Sequence, residues 1–399
     1  MKFRTTLSLI LTGVSLGLVL AIAFLILHGK YGHDAHIYCQ AASVAAYGND
    51  PYATKAAGSL LPWVYQPIYL QLAGLLCAPP LNLEKNYPLF YTLLLVVSTM
   101  LWASRKEWGS AILISLAAFV GFSWILYTGN FAIIEFFLLS CGFALLKKQK
   151  WDASAALFGL AASLKLIPIV YLLLFLCIPS TRSARIRAIL VGLLAFAAPL
   201  ALSAIFYPHL MQPFVMQVFG AAGDQQKVLQ DTAGLYDPSF TYFIAQLLNL
   251  DPLKFAPLFA VVLAGAGASF LVIVYNKIKP LEADAAFYQF FAFAFLVVAL
   301  ILPRAKPYSF AMLAPAVYLL VQIKHLSFKN TIWITALFLP ALALLLNIAF
   351  GRQDITQPTG RFILLDYSQT LTVLLTIIVA YVHLYAGKMR PQTIGMAAQ

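Results

Sequence analysis

Charge is what this sequence has least of. Asp, Glu, Lys and Arg make up 10% of its 399 residues, against about 25% in an ordinary soluble domain. That scarcity excludes a conventional water-soluble fold. Its formal net charge is +12, but the basic residues are scattered between apolar runs rather than gathered on one face, which argues against a nucleic-acid partner. Cysteine is sparse too. Cys39, Cys77, Cys141 and Cys177 are widely spaced and contain no CxxC pair, so they read as packing residues rather than a disulfide framework or zinc site. A Cys39–Cys77 bridge is the lesser alternative. No period of 20–50 residues recurs and the two halves do not mirror each other, which weakens a transporter built from repeats. Neither end carries a soluble domain.

What fills the chain instead is apolar: 62% of residues, with mean hydropathy +0.86. Spans of about 17–25 residues, shorter where helices are broken inside a bundle, are expected at 7–27, 86–103, 110–127, 130–146, 153–165, 167–179, 188–206, 255–275, 286–302, 308–323, 331–350 and 367–386. The first follows "MKFR", exceeds a signal-peptide core and has no small-x-small cleavage site, so it reads as a retained span with an inner N-terminus.

The thirteen residues 67–79, "PIYLQLAGLLCAP", are the exception. With them left uncrossed, the inner segments are "MKFR", "SRKEW", "KKQK", "STRSARIR", "NKIK", "KHLSFK" and "GKMR". Together these hold 16 of the 26 Lys and Arg residues, as the positive-inside rule requires. Counting 67–79 as a crossing would put "KKQK" and "STRSARIR" outside. It is therefore expected to lie at the outer face. Two long outer segments, 28–85 and 207–254, mark that face as the working one. Both termini are expected on the cytoplasmic side of a single integral domain.

The stretch "YGHDAHIYCQAASVAAYGNDPY" (31–52) carries the most suggestive chemistry. Asp34 can cap an Ala-rich helix that ends before Gly48, ligate a metal with His33 and His36, or serve as a base whose basicity is tuned by partial desolvation. Elsewhere, Lys165 sits at membrane depth, where an ionisable group is costly; it reads as functional or as a side chain that snorkels to the surface where Pro168 breaks the helix. Arg304 and Lys306 bracket "PRAKPY" at the outer end of a span, either as phosphate ligands or as boundary anchors. Arg352 and Arg361 read as anchors ahead of the alternative, phosphate ligands. Glu135 lies one turn into a span and reads as a structural partner of Lys165 or a site residue. Tyr38, Tyr52, Tyr65 and Trp63 line a sugar pocket or belong to an interfacial aromatic belt. Asp237, in "YDPSF", reads as a turn former. His209, His325 and His383 form no metal constellation.

In order and spacing, Asp34, Tyr38, the Ala41-Ala42 pair, "GNDPY" (48–52) and "VYQPIYLQL" (64–72) resemble the outer-loop signature of glycosyltransferase family 87, polytopic enzymes of the GT-C type. The tyrosine–proline motif reads Tyr65-Gln66-Pro67-Ile68 here, one proline short of the family's. "TGNFAIIE" (128–135), with Asn130, and "GLAASLKLIP" (159–168) resemble two further family elements. In place of the Trp- and His-containing motif of one branch, this chain has "LPRAKPYSF", with Tyr308.

The resemblance implies an all-α GT-C membrane fold of about twelve spans, with interfacial helices in the first outer loop. It implies a polyprenyl-phosphate sugar as donor, a glycan or glycolipid hydroxyl as acceptor, and Asp34 as base. Mannose is the expected sugar and the cytoplasmic membrane the expected location, with the site facing outward. Lys165, Arg304 and Lys306 would hold the phosphate. His36, Tyr38, Tyr52, Tyr65, Gln66, Asn130, Glu135 and Tyr308 complete the expected substrate site. Because Lys and Arg can neutralise a monophosphate, no metal or other cofactor is expected. The rival reading is a transporter or flippase of lipid-linked or small polar substrates; a surface-polysaccharide ligase or polymerase is weaker.

Overall fold

The computed structural model describes residues 32–53, 63–218, 237–279, 281, 283–321, 339, 340, 343 and 363–385. Helices dominate them. They are α1 (His33–Ala46), α2 (Tyr69–Cys77), α3 (Leu83–Trp102), α4 (Trp108–Ala117), α5 (Gly121–Thr128), α6 (Ala132–Lys147), α7 (Trp151–Leu164), α8 (Arg182–Phe206), α9 (Pro208–Val218), α10 (Phe240–Leu247), α11 (Pro252–Ile278), α12 (Ala283–Ile301), α13 (Ala314–Val321), α14 (Ile363–Asp366) and α15 (Ser368–Tyr385). Four 3₁₀ segments interrupt the series: Arg105–Glu107, Ala118–Val120, Ile167–Cys177 and Pro307–Leu313. Helical segments stand at ten of the twelve expected spans. The expected span 7–27 lies outside the described residues, as does 331–350 apart from residues 339, 340 and 343; so do Arg352, Arg361 and His325.

Among the described residues, α8 and α11 are long and apolar enough to cross a membrane by length and composition alone. Their starts are written in the sequence. Thr181 caps α8 by accepting from the Ala184 N–H at 3.3 Å, and Asp251 caps α11 by accepting from Leu253 at 3.0 Å, ahead of Pro252 in the first turn. Both are standard helix starts. At the centre, α7 packs between α6 and α8. The α7–α8 crossing is close because glycines face each other: a Cβ on Gly159 would lie 1.9 Å from the Gly192 carbonyl oxygen. Small residues at such crossings let two backbones touch, a main source of helix adhesion in lipid.

The expected span 110–127 is not one helix. Phe119 and Val120 both take left-handed backbone angles (φ 60° and 58°), dividing α4 from α5. Breaking a helix frees backbone carbonyls that lipid cannot satisfy; the buried Gln369 amide of α15 donates to the Phe119 oxygen. Beside the kink, a Cβ on Gly121 would lie 2.3 Å from the Ala311 nitrogen, so the break lets the 307–313 segment seat directly on α5.

Two expectations about the first long loop need correction. Asp34 is not the N-cap of α1: Gly32, at φ 89°, occupies that position, and the Asp34 side chain is turned elsewhere. Gly48, at φ 77°, does follow the helix end. Cys39 and Cys77 are not mere packing residues, since they form a disulfide with Cα atoms 5.5 Å apart. This bond ties α1 to α2, which at nine residues spans about 14 Å and is too short to cross a bilayer. The signal was available, because both cysteines were placed on the outer side, where disulfides persist. The bridge closes a loop of 38 residues, worth about 4 kcal/mol in the chain-entropy picture. Reduction, or Cys77→Ser, should therefore lower Tm by several degrees in detergent. An unchanged melting curve would mean that α1 and α2 are held by packing alone.

Candidate active site

Two glycine turns bring the site together. Gly32 precedes α1 with its N–H donating to the Tyr127 oxygen at 3.1 Å, and Gly129 (φ 72°) ends α5 with its oxygen accepting from Tyr91 Oη at 2.9 Å. The turns touch: a Cβ on Gly129 would sit 2.8 Å from Ala35 Cβ. Gly129→Ala therefore meets both a steric wall and an unfavourable φ. It should cost activity by separating Asp34 from residue 130, with expression and Tm falling too; wild-type activity would show that the contact is dispensable.

From the first turn of α1, Asp34 Oδ2 accepts from Asn130 Nδ2 at 2.5 Å. The other end of the same amide, Asn130 Oδ1, accepts from Lys165 Nζ at 2.6 Å and from the Ala132 N–H at 2.9 Å. An ammonium only donates, so this network fixes which way the amide points. Lys165 gets there because α7 ends at Leu164 and residue 165 turns extended (φ −140°, ψ 128°) before the 3₁₀ segment. Its Nζ also lies 3.7 Å from the centre of the Tyr308 ring, a cation–π arrangement. Asn130 thus separates a carboxylate from an ammonium that would otherwise collapse into one ion pair.

Burial sorts the expected site residues into two groups. Asp34, Lys165, Lys306 and Tyr308 keep part of their surface exposed and can meet a ligand. Asn130 is only 5% exposed with both ends of its amide engaged, so it positions the groups on either side of it. Tyr38, Tyr52, Tyr65 and Gln66 are also buried. The Tyr38 and Tyr65 hydroxyls share a hydrogen bond of 3.0 Å, and Phe131 N–H donates to Tyr38 Oη at 3.4 Å. Tyr52 Oη donates to the Tyr65 carbonyl at 2.7 Å, and Trp63 packs edge-on against Tyr38 and Tyr65. Gln66 Nε2 donates to the Ser163 carbonyl at 3.2 Å, two residues before Lys165. These aromatics form the wall behind Asp34 rather than the lining of an open pocket.

Glu135 is 1% exposed, and neither of its carboxylate oxygens has a hydrogen-bond partner among the described residues. Lys165 lies within electrostatic reach of Glu135, Asp34 and Lys306. His36 is turned away, its Nδ1 2.7 Å from Glu84 Oε1 on the exposed side of α1. Arg304 is held from a distance: its Nε donates to Asp237 Oδ2 at 3.1 Å, while the Ala305 N–H donates to Oδ1 at 2.9 Å. Asp237 is therefore a buried anchor for the 303–306 segment rather than a turn former. Its significance was hidden because its partners lie 67 and 68 positions away. Burial pushes the Asp237 carboxyl up to about 6, against the Ala305 N–H and the Lys306 and Arg304 cations.

Asp34 itself is raised above the ordinary carboxylate range. Desolvation is the main cause, opposed by the Asn130 hydrogen bond and then by the Lys165 and His33 charges. A carboxylate so placed is a better proton acceptor than one in water, and its cationic neighbours favour the ionised form. Among the described residues, no group of three or more His, Cys, Asp or Glu is arranged to hold a metal ion.

Residues 63–303 match glycosyltransferase family 87, more than half of the chain. The matched stretch includes Asn130, Lys165 and the "TGNFAIIE" and "GLAASLKLIP" elements, and it extends well past residue 200. It begins at Trp63, so Asp34 lies outside it and joins the site through Asn130. A solved structure, ArnT from Cupriavidus metallidurans in the apo state, is similar at 14% identity and TM-score 0.43, covering 94% of this chain and 77% of that one. No curated protein matches. On the family match, the chain belongs to glycosyltransferase family 87 and is a membrane glycosyltransferase.

Proposed function

We propose that the protein moves a sugar, mannose by expectation, from a polyprenyl-phosphate donor to an acceptor hydroxyl at the outer face of the cytoplasmic membrane, within one integral domain of GT-C type. The observation that carries this reading is the Asp34–Asn130–Lys165 chain, which holds one base and one cation side by side but unpaired. An inverting transfer needs both. The base takes the proton of the acceptor hydroxyl as that oxygen attacks the anomeric carbon, and the lipid phosphate departs as an anion that the cation stabilises. Asp34 fills the first role. Lys165 and Lys306 fill the second, with Arg304 held at the rim by Asp237. Tyr308 keeps the Lys165 ammonium in place until phosphate arrives. α2, with its exposed Leu75, borders the path by which the lipid approaches. The Cys39–Cys77 bond supports an outward-facing site, since such bonds persist in oxidising compartments.

The test is direct: purified protein is incubated with a panel of polyprenyl-phosphate sugars, and consumption of each donor is followed. Loss of one donor, absent in Asp34→Asn, supports the reading; no consumption of any donor, with accumulation of a substrate across sealed vesicles, supports transport instead. Lys and Arg are to balance the phosphate charge, so EDTA should leave turnover intact. Activity that collapses in EDTA and returns with a divalent ion would contradict this arrangement.

A further inference from the structure

The opposite end of α8 carries a second site-like feature. Ser203 of α8 accepts from the Ile68 N–H at 3.0 Å, next to Gln66 and the Asp34 wall. Arg185 lies eighteen residues earlier on the same helix, about 27 Å away at 1.5 Å per residue, roughly the thickness of a hydrocarbon core. There, where α8 begins and α11 ends, a half-open cavity of about 260 Å³ is lined by Arg185, Lys279, Tyr275, Phe287, Phe290 and Cys177, among others, with no carboxylate among the lining residues. The Arg185 Nε donates to the Ile178 carbonyl at 3.0 Å, which fixes the guanidinium stem. The neighbouring Arg187 is instead paired with Asp152 at 2.8 Å, so the cations in this basic segment have different roles.

We infer that this cavity binds the headgroup of an anionic phospholipid from the cytoplasmic leaflet. The volume suits a headgroup rather than a whole lipid. Arg185 and Lys279 supply two positive charges, and Tyr275, Phe287 and Phe290 line the same cavity with aromatic surface. Basic pockets between spanning helices on this side are suited to such lipids, and the leaflet supplies them. A zwitterionic lipid offers a phosphate whose charge its own choline offsets, so it should compete poorly. The site is separate from the transfer chemistry and rests only on the outward orientation proposed for Asp34, which puts this end of α8 on the cytoplasmic side.

Cys177 provides the readout, because it lines the cavity as an exposed free thiol while Cys141 is partly buried elsewhere. The full-length protein in detergent is treated with a neutral maleimide, and labelling at Cys177 is followed by mass spectrometry, with Cys141 as internal reference. Dioctanoyl phosphatidylglycerol at ten times its dissociation constant should slow Cys177 labelling about tenfold, the fraction left unoccupied. Dioctanoyl phosphatidylcholine and inorganic phosphate at the same concentration should not, and Arg185→Gln with Lys279→Gln should abolish the protection. The proposal is overturned by absent protection, by equal protection from phosphatidylcholine or phosphate, or by undiminished protection in the double variant. The lipid contrast on the unaltered protein decides the matter even where the variant fails to fold.

Discussion

Asp34→Asn is expected to insert and fold while losing sugar transfer by at least about 10²-fold, the scale of removing a general base. The substitution is nearly isosteric, and the new carbonyl oxygen can still accept from Asn130 Nδ2, so the contact between α1 and the α5–α6 turn survives. What disappears is the proton acceptor. Since burial holds Asp34 above the ordinary carboxylate range, its ionised form is disfavoured by folding. The neutral amide should therefore hold Tm or raise it slightly. In the native enzyme, kcat/KM should fall as pH drops through this raised value, at a higher pH than a free carboxylate near 3.9 would give. The residual activity of Asp34→Asn should lack that limb. Near-normal turnover would leave Asp34 with a purely structural role.

Lys165→Gln should be nearly as severe, with a loss of about 10²–10³-fold from removing a charge aimed at the leaving group. Its signature differs. Gln can still donate to Asn130 Oδ1, so the scaffold should persist, yet Asp34 loses a cation that favours its ionised form. The acid limb of the pH profile should consequently move to higher pH. A charge-bearing Lys165→Arg should return the limb towards its native position even where the longer fork restores little rate. A rate loss without any movement of the limb would show that Lys165 meets the phosphate but is not coupled to Asp34.

Much of this was legible from local pattern. The apolar runs and the placement of basic segments located the helices, and motif spacing picked out Asp34, Asn130 and Lys165 before their distances were known. The breaks were not legible. Phe119 and Val120 sit in an unbroken apolar run, and only the Gln369 amide and the close seat of Ala311 explain why that helix divides. Asp237 was missed for a similar reason: its partners at 304 and 305 come from another element, and "YDPSF" looks locally like a turn. Tyr38, Tyr52 and Tyr65 were found as a group, but sequence cannot tell a tyrosine that faces a sugar from one whose hydroxyl is spent on a neighbour. His36 shows the opposite failure, because adjacency to Asp34 in sequence placed it on the other face of α1, against Glu84.

The measurement that bears most directly on the central claim is where the donor sits. A polyprenyl phosphate carrying a photoreactive group beside its phosphate can be cross-linked to the purified protein and the adducts mapped by mass spectrometry. Adducts at Lys165, Lys306, Tyr308 and the first turn of α1 are the predicted outcome, and Lys165→Gln should deplete them. Adducts clustered at mid-span on α8 and α11, unaffected by Lys165→Gln, would contradict a transfer site at Asp34 and point to passage of the lipid through the bilayer.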